Sequence, residues 1–237
     1  MLTAIVGRRC ADLFHDALLS HFDMVFVLPP DPSVAPEVAD HPDMILSFVG
    51  DAIIIPRCYY YANRALITSI ADAAGKRIAV SDAARSADYP HDIGMNALVT
   101  DRHLFGRLSA VSPDVLSLSS KSGLSTVDVK QGYAACSALA CGGVIVTGDP
   151  SISSAAAENG YTVIRVDTSG IRLDGYGHGF IGGSGGIIGN TAYFLGDSSA
   201  TVGTESLTDE LEAYGISSVA LSGSPLADFG GIKLFIS

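Results

Sequence analysis

Four residue types that can do chemistry recur at comparable places along this chain: a thiol, imidazoles, carboxylates and an amide. Cys136 in GYAACS is the best-placed of four cysteines, because Cys141 falls in an apolar run beside a turn, Cys58 opens a helix and Cys10 belongs to another helix. A thiolate is a nucleophile, an imidazole moves protons, and carboxylates pair with cations through strong hydrogen bonds. His41 and Asp43 flank Pro42, and that spacing on an extended strand would put both side chains on one face. Asp92 in YPHDIGMN offers a second carboxylate, and Asn96 an amide that could orient a ligand. His178 in GYGHGF could face a central pore, although a solvated loop position is the expected one, and Asp228 in LADFGG is a further candidate cation partner. Each has an ordinary alternative: a strand-edge His, a turn-capping Asp, a strand-end amide, a solvated loop His, or an inert buried thiol.

The elements that must position these residues follow from an internal repeat. AAGKRIAV, KSGLSTVDV, ENGYTVIRV and AYGISSVAL each pass from a helix-like stretch through Gly75, Gly123, Gly160 or Gly215 into alternating apolar residues. Gly serves there as the left-handed residue that ends a helix without a Cβ penalty. SHFDMVFVL is a fifth copy with Asp23 in the Gly position, and its first half, DFGGIKLFIS, sits at the other end of the chain. The repeat is whole only if Ser237 lies beside Met1, which implies a ring. The junctions recur about every 47 residues, a period that marks repeat architectures.

Within each copy, Gly50-Asp51, Gly142-Gly143 and Gly189-Asn190 read as hairpin turns, and Ser112-Pro113-Asp114 and Asp149-Pro150 as helix starts. The pattern predicts an α/β fold of five ββαβ units around a closed axis, a pseudo-fivefold α/β propeller. A single domain is expected, with repeats at about 40–82, 90–130, 131–171, 175–221, and 222–237 joined to 1–34. One strand of each unit should lie at the axis. Residues at the start of those strands then converge: His41 to Met44, Asp92 to Met95, Tyr133 to Cys136, Phe180 to Gly183 and Leu221 to Ser224.

At this point the chain resembles the pentein superfamily of guanidino-group-modifying enzymes, and VKQGYAACS, DHPDM and GFIGGSGG resemble a bacterial family of uncharacterised proteins with that fold. His41-Pro42-Asp43 is similar to the superfamily's His-x-Asp motif. The resemblance implies a hydrolase or amidinotransferase in which Cys136 attacks a planar guanidino carbon, His41 shuttles protons, and Asp43 and Asp92 clamp the cation. Asn96, His178 and Asp228 would contact the ligand. Enzymes of that fold carry their cysteine in the last repeat, where this chain has SGSPLADFGG with Ser222 and Ser224. That difference supports a second reading: a non-catalytic ring used for binding, like the ribosome-associated initiation factors of the fold, or a degenerate enzyme that only binds ligand.

Composition narrows the partners. Of 237 residues 48% are hydrophobic and 16% charged, enough apolar surface to build a large core. A net charge of −11 opposes nucleic-acid phosphates and suits a small cationic ligand. No segment has the roughly 18 uninterrupted apolar residues of a membrane helix. MLTAIVGRRCADLF carries its charges after its apolar stretch, the reverse of a signal peptide, and the cysteines lack C-x-x-C spacing, so a cytoplasmic protein with free thiols is expected. No cofactor or metal is implied. GHGFIG, Gly177 to Gly182, is a literal G-x-G-x-x-G, but it leads into a hairpin rather than a helix, and the six His lack ligand spacing.

Overall fold

The computed structural model describes residues 1–237. Its strands form five separate three-stranded sheets. In chain order their middle strands are Leu2–Gly7, Ala52–Pro56, His103–Gly106, Val144–Thr147 and Thr191–Phe194. Each pairs antiparallel with a hairpin partner on one side and parallel with a strand that returns from a helix on the other. The hairpin partners are Lys233–Ile236, Ser47–Val49, Leu98–Val99, Ala138–Cys141 and Gly185–Ile188. All five of these strands border one central cavity of about 220 Å³, so they surround an axis.

Closure through the chain ends holds as the sequence implies. Leu2–Gly7 pairs with Lys233–Ile236, and the Met1 amino group donates to the Ser237 carbonyl at 2.7 Å. The helix starts hold too, with the Ser112 hydroxyl accepting from Asp114 N and the Asp149 carboxylate from Ser151 N and Ile152 N. Gly75 ends its helix at φ 61° while Lys76 N donates back to Ala71 O, the left-handed stop expected there. All four cysteines are unpaired, and no helix is long and apolar enough to cross a membrane.

The core lies between the sheets rather than inside one. Ile53 and Ile55 pack with Ile5 and Leu28 of one neighbouring sheet, while Ala52 and Ile54 pack with Leu104 of the other and with Val115 of its helix. Successive side chains of a strand point to opposite faces, so a strand buried on both faces reads as an unbroken apolar run. That is why AIII and VIV carry no polar alternation. Each interface is a separate cluster of 9 to 13 buried residues.

Two local features differ from the sequence expectation. His41 and Asp43 do not share a strand face: Pro42–Ile45 forms one helical turn with Pro42 in its first position and His41 as the N-cap. The fixed φ of Pro suits the start of a helix, and the strand begins only at Ser47. A similar turn precedes the axial strand at Ala134–Ser137 and at Gly182–Ser184. The fifth axial position is also shifted. Because its axial strand is Lys233–Ile236, the converging residues are Asp228 to Gly231, whereas Leu221 to Ser224 lie before a further loop, with Ser224 O accepting from Asp197 N.

Candidate functional site

The turns that precede the axial strands form a closed ring of contacts. Asp43 N donates to Gly230 O at 3.3 Å, joining the first unit to the fifth. Asn96 Nδ2 lies 3.2 Å from Met44 Sδ and 3.1 Å from Cys136 Sγ, and its Oδ1 accepts from Ala135 N and Cys136 N, so one amide ties the first three units together. Gly182 packs on the carbonyls of Ala135 and Cys136, where a Cβ would collide. Phe229 N and Gly231 N donate to Gly183 O and complete the circle.

On one side of this ring lies a cavity of about 270 Å³ lined by Val38, His41, Met44, Tyr133, Cys136, Leu173, Tyr176, Gly177, His178, Phe180 and Asp228. Four of the seven candidates thus meet there: Cys136, His41, His178 and Asp228. His41 Nδ1 stands 3.8 Å from Asp228 Oδ1, and both side chains are at most 2% exposed. His41 Nε2 has no hydrogen-bond partner. Asp228 accepts from Phe180 N at 2.9 Å and from Gly230 N at 3.0 Å. Gly183 leaves room for that carboxylate, since a Cβ there would overlap it.

Asp43 is fully buried against the Cys136 thiol, and neither of its oxygens receives a hydrogen bond of good geometry. Asn96 is also fully buried and positions the Cys136 turn rather than lining the cavity. Asp92 reaches the site through a neighbour: its Oδ2 accepts from the Tyr133 hydroxyl at 2.7 Å, and Tyr133 forms the wall. His178 sits at the exposed rim, its Nδ1 2.8 Å from Gly179 O.

The electrostatics follow from burial. Desolvation, then the Asp43 charge, raises Asp228 to about 7, although two backbone N–H groups oppose the shift. Desolvation raises Asp43 to about 6 against the pull of Lys233. Desolvation and then Asp43 and Asp228 push the Cys136 thiol well above its ordinary value. His41 falls to about 3, chiefly through desolvation, with Asp40 opposing and Arg9 adding to the shift. Burial pushes Asp40 itself up, but its hydrogen bonds and ion pair with Arg9 outweigh this and hold it low. The cavity therefore presents a neutral imidazole, a protonated thiol and the Asp228 carboxyl, with the Asp43 carboxyl behind the thiol, and both carboxyls titrate near neutrality.

Five further residues carry weak sequence signals. Gly183 and Gly230 shape the floor, Tyr133 and Phe180 stack with centroids 6.5 Å apart, and Arg9 fixes Asp40 beside His41. Tyr133, Phe180 and Gly183 stand among the converging positions expected from the repeat, whereas Gly230 and Arg9 do not. No group of three or more His, Cys, Asp or Glu side chains is arranged to hold a metal ion.

Comparison with solved structures assigns the fold. DDAH from Pseudomonas aeruginosa, a Cys-to-Ser variant with citrulline, matches with a TM-score of 0.59 at 12% identity over 98% of both chains. ArgZ, an arginine dihydrolase from the ornithine-ammonia cycle in cyanobacteria, matches at 0.57 and 12% identity over 92% of this chain and 36% of its own. SxtG, an amidinotransferase of the saxitoxin pathway of Microseira wollei, matches at 0.58 and 12% over 94% and 75%. The chain has the pentein fold, five small α/β units in a propeller-like ring, and its structural neighbours are guanidino-modifying enzymes. By sequence it belongs to the family described as Family of unknown function (DUF6873), whose model matches residues 5–233. The comparison with curated proteins gave no match.

Proposed function

We propose that this protein binds a small guanidinium or amidinium compound in the His41–Cys136–Asp228 cavity and hydrolyses it or transfers its amidino group. One observation carries the reading. Two fully buried carboxyls, Asp43 and Asp228, adjoin one thiol, and no Lys or Arg lines the cavity. Buried carboxylates with no cation in contact are costly, and a guanidinium supplies both the charge and a planar array of donors.

The proposed steps use these groups in order. Asp43 and Asp228 ionise as they grip the cation, and their negative charge on Cys136 is offset by the ligand. The Cys136 proton passes to His41, and Sγ forms a bond to the amidino carbon while a C–N π pair moves onto nitrogen. As that pair returns, one C–N bond breaks and His41 protonates the departing amine or ammonia. This leaves an S-amidino group on Cys136. Water or an acceptor amine then gives a proton to His41, bonds to the same carbon and expels the thiolate, which takes the proton back. Asn96 holds the Cys136 turn, Asp92 braces the wall through Tyr133, and His178 stands at the mouth.

A second reading, a ring that only binds, is favoured by the burial of Cys136, 4% exposed with its thiol pushed well up. Alkylation separates the two. 2-Chloroacetamidine, a cationic amidine, is expected to label Cys136 at least about tenfold faster than neutral chloroacetamide, as read by peptide mass spectrometry. Equal rates, or equal total labelling in Cys136→Ser, would count against the enzyme reading.

A further inference from the structure

Resting on the guanidinium reading above, the cavity also specifies the rest of the ligand. We infer that the cation it takes carries an apolar tail and no carboxylate: an alkyl- or arylguanidine or amidine rather than an amino acid. Away from the carboxyls the walls are Val38, Met44, Leu173, Tyr133, Tyr176 and Phe180. The Tyr133 hydroxyl is already spent on Asp92, so this residue offers its ring and not a donor. Aromatic faces accommodate hydrocarbon and cations, and offer nothing to an anion.

A carboxylate on the tail would need a countercharge, and no Lys or Arg lines the cavity to supply one. Two nearby arginines stand beside other carboxylates and do not line the cavity. The Arg9 guanidinium bonds to Asp40 and to Glu37 O, and the buried Arg85 side chain stands with its Nε 3.5 Å from Asp31 Oδ2. Arg85 is also close enough to Asp92 to feel its charge. Glu37 and Asp92 both act electrostatically on Tyr176, so the mouth is acidic.

Tyr176 and His178 are the polar side chains at the rim, Tyr176 offers only an uncharged hydroxyl, and the Gly179 carbonyl sets the His178 tautomer. A carbonyl only accepts, so Nδ1 donates to Gly179 O and the neutral ring keeps Nε2 as an acceptor. Neutral His178 therefore has no donor left for a carboxylate. Size agrees with a short ligand: about 270 Å³ lies below the roughly 300–1,000 Å³ of pockets for drug-sized molecules. Desolvating an unpaired carboxylate there opposes binding.

Calorimetric titration of the wild-type protein with 1-butylguanidine and with arginine tests this, since the two share a guanidinium and differ in the tail. Butylguanidine is expected to bind at least about tenfold tighter. Arginine binding equally or more tightly would overturn the apolar-tail inference and leave the guanidinium reading standing. Binding of neither would overturn both. Leu173→Arg supplies a second measurement by placing a cation on the wall. It is expected to shift the preference toward arginine by about fivefold or more, and an unchanged ratio of affinities would contradict the inference.

Discussion

His41 and Asp228 come from nearly opposite ends of the chain, yet Nδ1 of one lies 3.8 Å from Oδ1 of the other, with both side chains almost wholly withdrawn from water. The ring is what brings them together. Its closing sheet pairs Leu2–Gly7 with Lys233–Ile236, and Gly230, at φ 75°, packs directly on the His41 side chain. The energetic consequence is specific. An imidazole held neutral and a carboxyl raised to about 7 coexist without forming an ion pair at neutral pH.

Asp228 should leave a signature in the pH dependence of stability. Its folded value of about 7 exceeds the roughly 3.9 of an unfolded Asp, so the unfolded chain loses this proton first. The stabilising contribution is complete below about pH 4 and is lost as pH rises through 7. Asp228→Asn removes the titration, so its stability relative to wild type should rise by a few kcal/mol between pH 4 and 8. Urea denaturation across that range measures it, and a constant difference would contradict the assignment.

Asp43 should restrain the thiol. Burial is the largest cause of the raised Cys136 value, and the Asp43 charge is the next. Asp43→Asn removes that charge and should speed alkylation of Cys136 by iodoacetamide at pH 8 by about 3- to 10-fold, because the thiolate is the reactive form. A slower or unchanged rate would show that the carboxylate does not act on the sulfur.

Asn96 should matter through position. Asn96→Ala strips the Oδ1 acceptor from Ala135 N and Cys136 N in a largely buried setting. A loss of about 2–3 kcal/mol is expected in chemical denaturation, since buried donors left unpaired carry their full desolvation cost. A change below about 0.5 kcal/mol, the range of ordinary surface substitutions, would remove Asn96 from this role.

Gly183→Ala should damage the site through a single methyl group. The new Cβ would run into the Asp228 carboxylate, which has its own backbone donors to keep. Overpacking of this kind costs about 1–3 kcal/mol, and ligand binding should weaken together with the stability. Unchanged thermal unfolding would mean that the floor can yield.

What the sequence disclosed depended on how local each signal was. The helix stops at Gly75, Gly123, Gly160 and Gly215 have φ between 61° and 79°, and this requirement is visible in residue identity alone. The apolar runs AIII and VIV disclosed two of the middle strands for the same reason. His41-Pro42-Asp43 misled because its spacing fits a strand while Pro42 equally fits the first position of a helix, and only the later start of the strand at Ser47 decides. The fifth converging position was displaced from Asp228 to Leu221 because its hairpin is split between the chain ends. The links of Tyr133 to Asp92 and of Phe180 N to Asp228 span more than 40 residues and leave no mark in local pattern.

The central claim is that Asp43 and Asp228 form a cation site beside Cys136, and proton release on binding tests it most directly. Near pH 6.5 carboxyls at about 6 and 7 together hold about one proton, which a bound guanidinium should expel. Titrating butylguanidine into the wild-type protein by calorimetry, in two buffers of different ionisation enthalpy, counts that proton. The account predicts release of about one proton at pH 6.5, falling toward zero at pH 9 and reduced in Asp228→Asn. Binding with no proton released, or with the same release in Asp228→Asn, would contradict it.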